Sequence, residues 1–223
     1  MDKKGEPLPN LPPVMLYTTF VKSEMGCRLG SLIDNGSTDD YITHKAAKKL
    51  NLVGQPVDLL TEGFGGNEIQ VQTCIYQVPI FDKIGNRHLL FCYGTDTITS
   101  GSSPPDRNSY LRLCNKFGVI PKEVQRPSHI ELLISLRSSH LHPTDSESIT
   151  IDGMTLANGP LGKVFGGWDH ELNFSPHKVC CSVTALPTSA ASQYRATTMH
   201  ALVRDATYTT PLKTDKEILH FFL

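Results

Sequence analysis

The chain has 223 residues, 39% of them hydrophobic and 19% charged, enough apolar material for a packed core and too little charge for a wholly disordered chain. Lys and Arg number 21 against 22 Asp and Glu, a formal net charge of -1 that argues against a protein built to coat nucleic acid. No apolar run reaches the roughly 18 residues of a membrane span, and the opening MDKKGEPLPNLPPVM lacks a signal peptide's apolar core, so a cytoplasmic protein without membrane contact is expected.

Residues 1–13 carry four prolines among polar residues and read as a flexible lead-in. Val14 to Phe20 and Cys27 to Ile33 are β-rich runs around a turn at Ser23 to Gly26, a hairpin pattern. His44 to Leu52 holds helix formers behind Thr43, a suitable N-cap. Val57 to Glu62 and the alternating Ile69 to Pro79 flank Gly63, Phe64, Gly65 and Gly66, whose three glycines offer no side chains to a core and mark a hairpin tip. A further hairpin turns at Gly85-Asn86. Residues 99–109 form a loop, and Tyr110 to Phe117 a short helix ended by Gly118.

Ile130 to Leu136 is an apolar strand, and residues 141–160 are a hairpin turning at Asp152-Gly153. From about residue 175 the chain is Ser/Thr/Ala-rich and reads as a linker. Short strands at this spacing predict a mostly β domain over residues 14–170, between the lead-in and a C-terminal tail of 171–223.

Six cysteines occur without a C-x-x-C pair, so neither a zinc site nor a disulfide framework is expected. Cys74 and Cys92, inside strand-like runs, read as small core residues. His140, His142, Cys180 and Cys181 share no metal-binding spacing. Trp168 is expected to anchor the end of the domain. His44 is expected on the surface at a helix start, and Asp39 and Asp40 are expected to steady the loop and the helix start through its dipole.

The apolar run Leu32-Ile33 leads straight into Asp34-Asn35-Gly36-Ser37. Such residues suit a plain turn, yet the same order can deliver one carboxylate onto a tight, hydrogen-bonded loop. The succession of strand, Asp-x-Gly-Ser loop, short helix, Gly-rich hairpin and late apolar strand resembles the retropepsin family of aspartic peptidases. LIDNGSTDDYITHKAAKKLNL, GFGGNEIQV, IELLISLR and GPLGKVFGG resemble in particular the peptidase segment of BEL/Pao-type retrotransposon polyproteins. The resemblance covers residues 14–170. It implies a closed β-barrel with a glycine-rich flap at Gly63, Phe64, Gly65 and Gly66, one or two short helices and an irregular tail.

It further implies a catalytic Asp34 on the loop Asn35, Gly36, Ser37, working as a dyad across a homodimer without a cofactor. The substrate would be an extended peptide, physiologically the Gag-Pol polyprotein. The chain departs from the family pattern at two places. Asn35 stands where a Thr or Ser interlocks the two loops. Ser135 stands where glycine is usual, so its Cβ is expected to crowd the Asp34 loop, and Arg137 adds an unforeseen charge. Those departures carry an alternative expectation, a catalytically inactive domain of this fold acting as an interaction or structural module.

Overall fold

A computed structural model describes residues 14–62, 68–99, 105–169 and Leu172. The strands are β1 (Val14–Met15), β2 (Thr18–Ser23), β3 (Arg28–Ile33), β4 (Asp40–Thr43), β5 (Gln55–Glu62), β6 (Glu68–Phe81), β7 (Arg87–Thr95), β8 (Leu132–Ile134), β9 (Thr144–Ile151), β10 (Met154–Asn158) and β11 (Val164–Trp168). Helix α1 (His44–Lys49) follows β4, α2 (Arg107–Lys116) follows β7, and a 3-10 stretch (Leu136–Leu141) follows β8. The domain is mostly β, as the sequence predicts. No described helix is long and apolar enough to cross a membrane.

The strands make two sheets. In the larger the order is β2-β3-β8-β4-β7-β6-β5, and an added pairing of Lys22 with Phe81 and Ser23 with Ile80 joins β2 back to β6. Six strands thus form a ring of hydrogen bonds, with β5 hanging from β6. Alternate side chains point inward, as a strand's period of two requires. Val21, Leu29, Ile33, Ile42, Val78, Ile80, Leu90, Cys92, Leu132 and Ile134 fill the ring's interior. The smaller sheet, β1-β11-β10-β9, encloses a second core with α2, built on Met15, Leu113, Met154, Leu156 and Phe165.

Local chemistry sets the helix limits. Thr43 Oγ1 accepts from Ala46 N at 3.2 Å and starts α1, as its sequence suggests. The Asp106 carboxylate accepts from Asn108 N and Ser109 N, so α2 begins three residues before the predicted Tyr110, and Gly118, at φ +64°, ends it. The β9–β10 hairpin turns at Asp152-Gly153, both at positive φ, as predicted. The run expected as one strand from Val14 to Phe20 is divided. Val14–Met15 pairs with β11, whereas Thr18–Ser23 pairs with β3, because the chain crosses from one sheet to the other between them. Residues 1–13, Gly63 to Gly66 and the tail beyond Leu172 lie outside the described residues.

Gly30 sits where β3 meets the segment before β8. A Cβ there would overlap the His129 carbonyl oxygen and lie 2.7 Å from the Pro127 Cβ. Gly30→Ala should therefore lower unfolding free energy by about 1–3 kcal/mol in urea titration. An unchanged midpoint would contradict that close approach.

Candidate functional site

Asp34 is placed by a parallel strand pair. β3 and β8 run side by side with Leu32 opposite Leu133 and Ile33 opposite Ile134, and Asp34 N donates to Ile134 O at 3.0 Å, which extends the ladder by one residue. The chain then turns on Asp34's own side chain. Gly36 N donates to Oδ1 at 2.9 Å and Ser37 Oγ to Oδ2 at 2.7 Å, one donor for each oxygen. The carboxylate is thereby held in one orientation, half-buried, while Asn35 and Gly36 are exposed. Asp34, Asn35, Gly36 and Ser37 form the single tight loop that the sequence suggests. Asn35's side chain makes no hydrogen bond within the described residues.

Behind the loop lies a second carboxylate. Asp40 is 1% exposed, and its Oδ1 accepts from Ser135 N at 2.7 Å and Ser135 Oγ at 2.9 Å, while Oδ2 accepts from Ser138 Oγ at 2.6 Å. Ser37 O also accepts from Leu136 N at 3.0 Å. Together these bonds brace the Asp34 loop against the 3-10 stretch after β8. The expected crowding at Ser135 is not what occurs. Its hydroxyl is the brace, and its Oγ also accepts from Arg137 N at 3.2 Å.

The unforeseen charge of Arg137 is matched by Asp39, which takes its guanidinium in an ion pair and raises that group's affinity for its proton, against a smaller loss from burial. Thr38 Oγ1 donates to the other Asp39 oxygen at 3.1 Å. Asp39 and Asp40 thus do steady the loop, but not through the helix dipole. The first turn of α1 carries no acidic residue.

The face of the sheet that bears Asp34 is largely apolar, with the buried hydroxyl of Thr18 opposite Leu32. Strand alternation sends Ile33 and Ile134 into the core, and Leu32, Leu133 and Asp34 to the opposite face. The register aligns Leu32, Leu133, Tyr41, Tyr93 and Ile75 in one row across five strands. The Tyr41 and Tyr93 ring centroids are 6.0 Å apart. Desolvation raises the Tyr41 phenol well above its usual range, with smaller contributions from Asp39 and Tyr93, so it acts here as a neutral hydroxyl.

Beyond Ile75 the chain of β6 continues as a two-stranded ribbon with β5, paired out to Glu62 opposite Glu68. One ribbon face carries Val57, Leu59, Ile69 and Val71 on the same side as the row. Thr73 Oγ1 ties this face to β7 through a 2.7 Å bond to Gly94 O. Gly63, Phe64, Gly65 and Gly66 fall outside the described residues.

The other singled-out residues lie away from Asp34. His44 is half-buried on the core side of the sheet, its Nδ1 3.1 Å from Tyr76 Oη and its ring edge-on to that of Tyr76. It is therefore neither the expected surface residue nor a cleft residue. Trp168 lies over Gly153 and closes the small sheet. Among the described residues no group of three His, Cys, Asp or Glu is placed to hold a metal; Cys180 and Cys181 are outside them. Cys92 is a core residue, and Cys74 is half-buried.

Sequence reasoning missed Ser138, Tyr41 and Tyr93. The signal for the tyrosines was present in the alternation of DYIT and FCYGT; Ser138 had none. A scan of family models, a search of curated proteins and a search of solved structures each returned no match to the chain.

Removing the Asp40 carboxylate strands three buried donors, whereas removing the Ser138 hydroxyl deletes one bond. Asp40→Ala should cost about 3–5 kcal/mol of unfolding free energy and Ser138→Ala about 1–2 kcal/mol, read by urea titration. Equal costs for the two would show that the brace is not centred on Asp40.

Proposed function

We propose that the chain is an aspartic-type endopeptidase in which two copies meet across a two-fold axis and bring their Asp34 carboxylates within a hydrogen bond of each other. The observation that carries this reading is the Asp34 loop. Its strand-delivered carboxylate has each oxygen held by one donor, it is braced from behind by Asp40, and its exposed side is bare. The resemblance of the LIDNGS, GFGG and IELLIS stretches to retropepsins supports the same conclusion. On this reading the ring of strands is the family's barrel and the β5–β6 ribbon its flap.

A single carboxylate cannot serve as base and acid at once. Two at hydrogen-bond distance share one proton, because like charges that close do not both ionise. One Asp34 then takes a proton from water as its oxygen attacks the peptide carbonyl carbon. The other gives its proton to the carbonyl oxygen. Collapse of the tetrahedral adduct breaks the C–N bond as one Asp34 gives its proton to the leaving amine and the other takes a hydroxyl proton from the adduct, which restores the shared proton. No metal or organic cofactor enters.

The ribbon supplies backbone hydrogen bonds to an extended peptide and the apolar row receives its side chains, in the manner of strand addition. The physiological substrate would be the Gag-Pol polyprotein. Nothing in these steps calls for nucleic acid or membrane.

Asn35 favours a second reading, an inactive domain of the same fold serving as a structural or interaction module. An exposed carboxamide replaces the hydroxyl that joins the two loops in the family, so the two loops have no such lock.

The test is cleavage of a diverse peptide pool at pH ~5, a pH suited to a shared-proton dyad, with the association state measured on the same sample. Wild type should cleave as a dimer, and Asp34→Asn should lose at least about a thousandfold in kcat. Cleavage that survives in Asp34→Asn sinks the proposal. A folded, dimeric and silent wild type that gains cleavage with Asn35→Thr establishes the second reading.

A further inference from the structure

The chain holds two Asn-Gly pairs, Asn35-Gly36 and Asn158-Gly159, and every other asparagine is followed by a residue with a side chain. Asn-Gly is the pair most open to one reaction of a chain on itself. The backbone nitrogen after the asparagine attacks the side-chain amide carbon and closes a five-membered succinimide ring. Glycine has no Cβ to stand in the way. How readily the ring closes depends on how firmly the pair is held, and the fold treats the two pairs oppositely.

Asn158 ends β10, is half-buried and pairs with Thr144 of β9. Its Nδ2 donates to Glu147 Oε2 at 2.6 Å. Gly159 packs so closely on Pro143 that a Cβ there would lie 2.8 Å from the Pro143 Cα. Ring closure at Asn158 must first break these contacts. Asn35 and Gly36 instead form the exposed corner of the Asp34 loop, and the Asn35 carboxamide has no hydrogen-bond partner among the described residues. Gly36 N is fixed 2.9 Å from Asp34 Oδ1. That bond lies along N–H, in the peptide plane, whereas the attacking electron pair stands perpendicular to the plane. The bond therefore holds the nucleophile without occupying the face it attacks from.

We infer that Asn35 is a site of spontaneous deamidation, which converts its carboxamide to a carboxylate beside Asp34. The bond from Gly36 N to Asn35 Cγ forms as the Cγ–Nδ2 bond breaks. The proton from Gly36 N passes to Asp34 Oδ1, which already accepts from it, and on to the departing ammonia. Water then opens the ring at either carbonyl. Opening at Cγ leaves aspartate. Opening at the main-chain carbonyl leaves isoaspartate, in which the main chain runs through one extra carbon and draws Gly36 N off Asp34. A further consequence rests on the peptidase reading. Either product adds a negative charge to the face across which the two Asp34 loops would meet, so ageing of the chain weakens their pairing.

The experiment incubates the full wild-type chain in mildly alkaline buffer for days and follows both Asn-Gly peptides by mass spectrometry. Isoaspartate is counted by enzymatic methyl transfer from S-adenosylmethionine. Conversion at Asn35 should run at least about tenfold faster than at Asn158, where local opening must come first. Equal rates, a faster Asn158 or conversion at neither overturns the inference. This ratio decides the site whether or not the chain cleaves peptides.

Where fresh protein cleaves, its dimer fraction and cleavage should fall in step with the converted fraction. Asn35→Gln, whose ring closure would need six members, should hold the level of its own fresh sample over the same days. An equal decline in Asn35→Gln overturns the link to pairing, and so does a converted wild type that stays dimeric and active. Failure of the peptidase reading shows separately, as cleavage that survives in Asp34→Asn.

Discussion

A carboxylate that water does not reach holds the Asp34 loop in place. Asp40 can remain inside the protein only because three donors, two from Ser135 and one from Ser138, converge on it. Those donors belong to the turn after β8, and Asp40 itself begins β4. Satisfying one buried carboxyl group therefore fixes the chain leaving the Asp34 loop against the chain leaving β8. The parallel pairing of β3 with β8 demands this arrangement. Parallel neighbours need a long crossover, and here nearly a hundred residues intervene, so their ends need a separate tie. Asp40 and the Ser37 O to Leu136 N bond provide it.

The same strands serve as core and as site, divided only by the period of two. Ile33, Ile134 and Ile42 fill the ring, while Leu32, Leu133 and Tyr41, one position before each, line the face that bears Asp34. A slip of one residue in β3 would send Asp34 toward the core and Ile33 to water, so the packing of the interior fixes the outward aim of the carboxylate. The long β6 extends this frame. From Ile75 to Phe81 it is a wall of the ring, and from Glu68 to Ile75 it is half of the ribbon paired with β5. One strand thereby joins the ring and the ribbon without a break.

Much of this is legible in the sequence. The Asp34 loop, the Thr43 cap, the hairpin at Asp152-Gly153 and the mostly β character follow from local rules about turns, caps and alternation. What failed depended on partners distant in sequence. Ser135 reads as an obstacle when only its Cβ is considered, because nothing in LLISLR reveals that a buried carboxylate lies 95 residues back. Arg137 reads as a stray charge for the same reason, and Asp39 and Asp40 suggest a helix dipole merely because α1 follows them. The break in Val14 to Phe20 was invisible since both halves are equally strand-like and differ only in which sheet needs them. Ile98 belongs to no predicted element; its burial depends on Leu32, Leu133 and Ile130, none of which is near it in sequence.

Asn35 and Gly36 are the exposed residues of the Asp34 loop, since the brace occupies its rear and the row its flank. In the proposed dimer a second carboxylate would approach across them. Gly36 offers no side chain to obstruct it. Asn35 offers a carboxamide, which carries a donor and an acceptor and is thus self-complementary across a two-fold axis in a way a carboxylate or an ammonium is not. Two copies of a chain with formal net charge -1 also meet little long-range repulsion. The cost of approach is then local: two carboxylates brought together must share a proton, so the pairing is least favourable where both are fully ionised. Acidic conditions that supply that proton would promote the meeting of the loops and the chemistry together.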